Sequence, residues 1–372
     1  MKLRNFLSKA MLLASVAIVG FSCSDDKDNY DYYSDVYGDL SNANGAYILN
    51  SGSYGSNDAT LSFYNTDSAS VSTSVFAAQN SGENLGDTGQ DMFIYGSKMY
   101  IAMYGSGLIY VTDKNGNLEN TITSTKNSST QYPRSLAAYN GYIYVTYYDG
   151  YVGRIDTTNT SEIDAEVAVG ANPEGLAISN GKIFVANSGG MNYPDYDSTV
   201  TVIDIKTFTV KKTITVTINP TVVKADNDGN VFVVSMGNYS DVPNTLQRIN
   251  SDYSVDSIGN ATMIALSADE KDLYCIYSQY DASWNQTFSF FSYNISSQTV
   301  ESDPFVSSTA SALFAYDPYS MSVNPNDGNV YIGASDYSSE GKMYVVNPST
   351  GSLVSSFSTG GINPQGAFFL VK

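Results

Sequence analysis

The sequence predicts an all-β chain folded as a seven-bladed β-propeller, and three observations lead there. The first is an alternation of short β-branched and aromatic runs with turn dipeptides. Between Asn172 and Val216 the runs Gly175–Ser179, Lys182–Asn187, Thr199–Ile205 and Val210–Val216 are separated by Asn180-Gly181, Ser188-Gly189-Gly190 and Lys206-Thr207. Asn-Gly suits a two-residue type I′ hairpin, in which both central residues need positive φ. A four-stranded meander of this kind cannot cover both its apolar faces alone, so it requires neighbours like itself. The second observation is that the unit recurs. It starts at Asp91, Pro133, Pro173, Pro220, Met263, Pro318 and Pro364, in steps of about 40 to 55 residues, the spacing of propeller blades. The third lies at the ends. After Pro364 there is room for one strand only, whereas Ala46–Asn50, Thr60–Asn65 and Ser72–Phe76 read as three strands with none opening them. The C-terminal strand is therefore expected to complete the N-terminal blade, closing the ring and removing exposed sheet edges.

Ahead of the propeller, which is assigned to residues 45–372, the first 22 residues have the layout of a signal peptide. Lys2, Arg4 and Lys9 precede the apolar run MLLASVAIVGF, followed by Ser22-Cys23. That run is short for a membrane-spanning helix. The small residues before Cys23 resemble a bacterial lipobox, which implies that Cys23 is lipidated and becomes the mature N-terminus. Residues 23–44 then read as a flexible tether, opening with the acidic Ser24-Asp25-Asp26-Lys27-Asp28. An acidic run at this place resembles the export signal of Bacteroidetes surface lipoproteins. The expected location is the outer membrane, anchored by lipid and exposed at the cell surface; a spacer on a periplasm-facing lipoprotein is the alternative.

Composition narrows the function. A net charge of −19, with only 18 Lys plus Arg, disfavours nucleic acid and anionic membrane surfaces as partners. The chain has no histidine, which removes Ser-His-Asp and Cys-His catalysis and His-ligated zinc. Cys275 is the one thiol besides Cys23 and reads as an apolar filler within a strand. Paired carboxylates remain possible for glycoside hydrolysis, with Asp91, Glu174, Asp317 and Asp336 as candidates. No catalytic residue and no metal ligand is assigned. Asp195 and Asp197, or Asp226 and Asp228, have oxygen donors suited to calcium, but DNDGN and PNDGN fit tight turns better, and neither has the distal Glu of a calcium loop.

The informative feature is where the aromatics fall. In a four-stranded blade, the loops joining strands two and three share one face of the disc with the connections between blades. On that face the sequence places Tyr54, Tyr104, Tyr148, Asn187, Tyr193, Tyr196, Tyr239, Tyr280, Trp284 and Tyr337. The other face carries plain turns such as Asn140-Gly141, Asn180-Gly181 and Asp327-Gly328. Tyr and Trp give large contact areas with little rotamer entropy to lose, and polar tips that fix orientation. Gln90, Arg134, Glu174 and Gln365 start innermost strands and are expected to line the channel mouth. The loops Ser188–Ser198 and Gln279–Thr287 are the longest, and the largest share of ligand contacts is expected there.

The segment IFVANSGG…STVTVIDIKTFTVKKTITV…NP resembles the YVTN/YncE-like β-propeller repeat, and the resemblance extends over residues 46–372. Together with the lipoprotein start, the chain is similar to Bacteroidetes surface propellers such as the BtuG cobalamin-binding family. That resemblance implies a non-catalytic protein that captures vitamin B12 as a bound ligand, with no catalytic cofactor, and hands it to an outer-membrane TonB-dependent transporter. A corrinoid's broad ring fringed with amides suits Tyr, Trp, Asn and Gln. A glycan binder, an iron–siderophore binder, a protein-interaction or adhesion scaffold, and a glycosidase or lyase stand as alternatives.

Overall fold

The computed structural model describes residues 45–280 and 285–370, and the readings on Cys23, the signal segment and the tether lie outside them. Among the described residues are seven four-stranded antiparallel sheets, one per blade. Blade four shows the plan: Pro173–Ser179 innermost, then Lys182–Asn187, Thr199–Asp204 and Thr209–Thr215. Its first turn has Asn180 at φ 48° and Gly181 at φ 67°, the left-handed pair that a type I′ hairpin demands. In blade one, Pro364–Leu370 lies innermost and pairs with Gly45–Asn50, from Gly45 opposite Leu370 to Asn50 opposite Pro364. The last strand thus closes the ring as expected.

Each junction between blades holds its own apolar cluster. Successive side chains of a strand point to opposite faces, so Ile101 packs toward blade one while Tyr100 and Ala102 pack toward blade three. Strands covered on both faces read as nearly continuous apolar runs. Cys275 is fully buried in one such cluster, as a filler residue would be. Neighbouring innermost strands approach closely: a Cβ on Gly175 would stand 2.8 Å from the Thr221 carbonyl oxygen and 3.1 Å from the Val223 nitrogen.

Two segments differ from expectation. Ser72–Phe76 is not a strand; the outer strand of blade one is Ser70–Ser72, followed by a short helix, Val75–Gln79. The helix folds Phe76 into the core, 1% exposed, with its ring 5.0 Å from that of Tyr110. Packing of one large side chain overrides the β-propensity of the run. In blade six, both ends of Gln279–Thr287 belong to two nine-residue strands, Asp272–Tyr280 and Gln286–Asn294, which pair as a long hairpin.

Candidate functional site

A β-bulge recurs near the start of the innermost pairing in blades one to five and in blade seven. A bulge inserts an extra residue and re-aims the side chains beside it. Gln90, Arg134, Glu174, Thr221 and Gln365, each second in its strand, line a cavity of about 450 Å³ formed by innermost strands from all seven blades. Further along, the cavity is lined by apolar side chains including Met92, Leu136, Leu176, Val223, Met321 and Phe368.

Arg134 is the hub of the mouth. Its Nε donates to Glu174 Oε2 at 2.7 Å, its Nη2 donates to the same oxygen, and its Nη1 donates to Gln90 Oε1 at 2.8 Å. Blades two, three and four are thereby joined by one guanidinium. The Tyr104 and Tyr148 rings lie 4.9 Å and 5.0 Å from its central carbon, within cation–π range. Burial pushes the Glu174 carboxyl upward, opposed by Arg134 and by the Tyr148 hydroxyl. Burial likewise pushes the Tyr148 phenol up to about 12, so it remains a protonated donor at neutral pH.

Around this hub the tyrosines form tiers. Tyr104 lies 6.4 Å from Tyr54, 5.6 Å from Tyr132 and 5.8 Å from Tyr148, ring to ring. A second group links Tyr193 to Tyr196 at 6.0 Å and Tyr196 to Tyr239 at 6.3 Å. A third pairs Tyr319 with Tyr337 at 5.8 Å. Among the described residues, the tyrosines standing out as exposed are Tyr54, Tyr132, Tyr193, Tyr239, Tyr280 and Tyr337, all on this one face. The insert after Ser188 does project: Tyr193 and Met191 are each 74% exposed.

Most of the residues singled out from sequence therefore gather on one face, with three adjustments. Asn187 does not belong with them. It is fully buried, its amide donating to Thr199 and Thr201 hydroxyls at 3.0 and 2.9 Å and accepting from the Gly170 N–H. Asn50 makes the same kind of bond to Thr60, at 3.1 Å. An Asn ending the second strand is thus a strut for the loop. Trp284 lies outside the described residues. Tyr132 and Tyr319 join the face and were missed. Tyr132 sits in an inter-blade connection, and Tyr319 follows the opening Pro318 as Arg134 follows Pro133, so position within the repeat was the available signal.

Of the carboxylates named as possible catalysts, Asp91, Glu174 and Asp336 are engaged by neighbouring donors, whereas Asp317 lies exposed at the start of its strand. Asp91 is partly buried and accepts from the Ser135 hydroxyl and from the N–H groups of Leu136 and Met92; desolvation pushes its carboxyl upward against those bonds. Asp336 accepts from the N–H groups of Ser338 and Ser339. Asp226 caps its own turn through Asn230, the turn geometry expected of DNDGN. No cluster of three or more acidic or cysteine side chains suited to a metal occurs among the described residues.

This is a closed seven-bladed β-propeller with a tyrosine-rich face around an axial cavity. The chain belongs to the family defined by the domain of unknown function DUF5074, whose model matches residues 44–369. No curated protein matches the sequence. Similar solved structures include hydrazine synthase of Kuenenia stuttgartiensis, at 14% identity over 74% of this chain and 93% of that one, with a TM-score of 0.58. A quinoprotein alcohol dehydrogenase-like protein of Bacteroides thetaiotaomicron is 17% identical over 88% and 78%, with a TM-score of 0.63. A proposed 6-phosphogluconolactonase of Bacteroides uniformis is 15% identical over 88% and 99%, with a TM-score of 0.61. At these identities the likeness is one of fold, and the propeller fold is not diagnostic of catalysis.

Proposed function

We propose that the protein is a non-catalytic, surface-anchored binder that captures a corrinoid such as vitamin B12 on its tyrosine-rich face and passes it to an outer-membrane TonB-dependent transporter. The observation supporting this is the placement of six exposed tyrosines on the one face of the ring that carries the mouth of the axial cavity. A wide amphipathic ring fringed with amides matches aromatic platforms that surround amide and guanidinium donors. The resemblance to the BtuG family implies the same ligand class.

The path of the chain fits the hand-off. Gly45 enters the ring opposite Asn65 and Leu370, at the end of blade one away from Pro364 and the mouth. A lipidated tether ending at Gly45 would leave the tyrosine face clear for a docking transporter. Calorimetric titration of the ring, residues 45–372, with cyanocobalamin tests the reading. Tight one-to-one binding that weakens on Tyr104→Ala or Tyr280→Ala is expected. No heat and no thermal shift at high ligand concentration would discard the corrinoid, and glycans and siderophores would be screened next.

A further inference from the structure

The mouth has a charge character of its own. A guanidinium has five N–H donors. Three of those of Arg134 are engaged, two with Glu174 and one with Gln90. One N–H on each Nη atom therefore has no protein acceptor among the described residues. Arg134 is 20% exposed at its side chain and lines the cavity, so those donors are within reach of a ligand. The rings of Tyr104 and Tyr148 restrict its rotation, so the fork is held ready.

The surroundings oppose a full negative charge on that ligand. Glu174 already neutralises the guanidinium. The only other cation lining the cavity among the described residues is Lys224, whereas Asp91, Glu174 and Glu270 supply three carboxyl groups. An anion entering here would have to compete with Glu174 for Arg134, with Lys224 as the one remaining cation against the three carboxyl groups. An uncharged oxygen acceptor meets no such penalty and takes up the idle donors.

We propose that Arg134, compensated by Glu174, sets the ligand's charge: the mouth accepts a carboxamide or carbonyl oxygen and discriminates against the corresponding carboxylate. This rests on the corrinoid reading for its first probe, because cyanocobalamin has peripheral amides that convert singly to acids of nearly equal shape. The full-length protein in detergent is titrated with cyanocobalamin and with its three propionic monocarboxylic acids. At least one acid is expected to bind about tenfold or more weakly than the parent amide, a discrimination typical of one misplaced buried charge. Glu174→Gln, checked for folding by its melting transition, is expected to abolish or reverse that ratio by freeing the guanidinium for an anion. Equal affinity for the amide and all three acids, or an unchanged ratio in Glu174→Gln, overturns the inference and leaves the corrinoid reading standing. If no corrinoid binds, the corrinoid reading falls. Neutral ferrichrome is then compared with the trianionic ferric enterobactin; tighter binding of the anionic chelate, or binding of neither, overturns the inference.

Discussion

The Arg134–Glu174 pair provides the sharpest test of how the mouth is built. Arg134→Gln leaves Glu174 with its side chain only 14% exposed and its strongest partner gone. Breaking a buried pair by removing one member costs about 3–5 kcal/mol. Residual exposure of 20% and 14% on the two side chains lets water screen part of that, which lowers the figure to about 2–4 kcal/mol. Unfolding entropy of about 2.1 cal/mol/K per residue, over roughly 320 residues, converts each kcal/mol into about 1.5 °C. The expected fall in melting temperature is thus roughly 3–6 °C. Glu174→Gln is expected at the lower end, because the Tyr104 and Tyr148 rings still face the guanidinium and Gln retains an acceptor. The double variant Arg134→Gln/Glu174→Gln leaves neither charge of the pair, and its cost should fall short of the sum by at least about 1 kcal/mol. Urea unfolding of the four proteins measures the coupling. Costs that add to within about 0.5 kcal/mol would refute the reading of the two side chains as one compensated unit.

Three further outcomes are expected. Phe369→Ala, in the closing strand with its ring 5.0 Å from Tyr331 of blade seven, should cost about 3–5 kcal/mol; a melting temperature within a degree of wild type would deny that strand its stabilising role. Asn187→Ala should cost about 1–3 kcal/mol by orphaning the Thr199 and Thr201 hydroxyls yet leave ligand affinity unchanged, and the converse pattern would return Asn187 to the binding face. The carboxyls of Asp156, Asp204, Asp252 and Asp336 are held below the usual range by the Thr158 hydroxyl, the Thr207 N–H, the Ser254 hydroxyl and the Ser338 N–H. With folded values below unfolded ones, these groups add stability above the ordinary carboxylate range and lose it as pH falls through their lowered values. Their contribution should therefore fall away once pH drops below about 4, and carboxyl NMR titrations placing these four midpoints at or above the ordinary aspartate value would contradict the assignment.

Much of this molecule was legible in its residues because the repeat is local chemistry. Asn180-Gly181 can turn in few ways, and the runs on either side have the period and length of short strands. Recurrence of that unit, with a single strand left over after Pro364, implied a closed ring. The one-sidedness of the tyrosines was also readable, because a residue's place in the repeat assigns it to a face. Other features depend on contacts between blades. Arg134 and Glu174 hold equivalent places one repeat apart, and their meeting at the axis, with Gln90 beyond, follows from bulges that turn second residues into the mouth. Phe76 forms part of a helix because a pocket beside Tyr110 receives it, and Asn187 turns inward because two threonine hydroxyls and a backbone N–H await its amide. Local pattern states which face a side chain starts from; whether it reaches a ligand or a neighbouring strand depends on the partners that packing brings within 3 Å or so of its polar atoms.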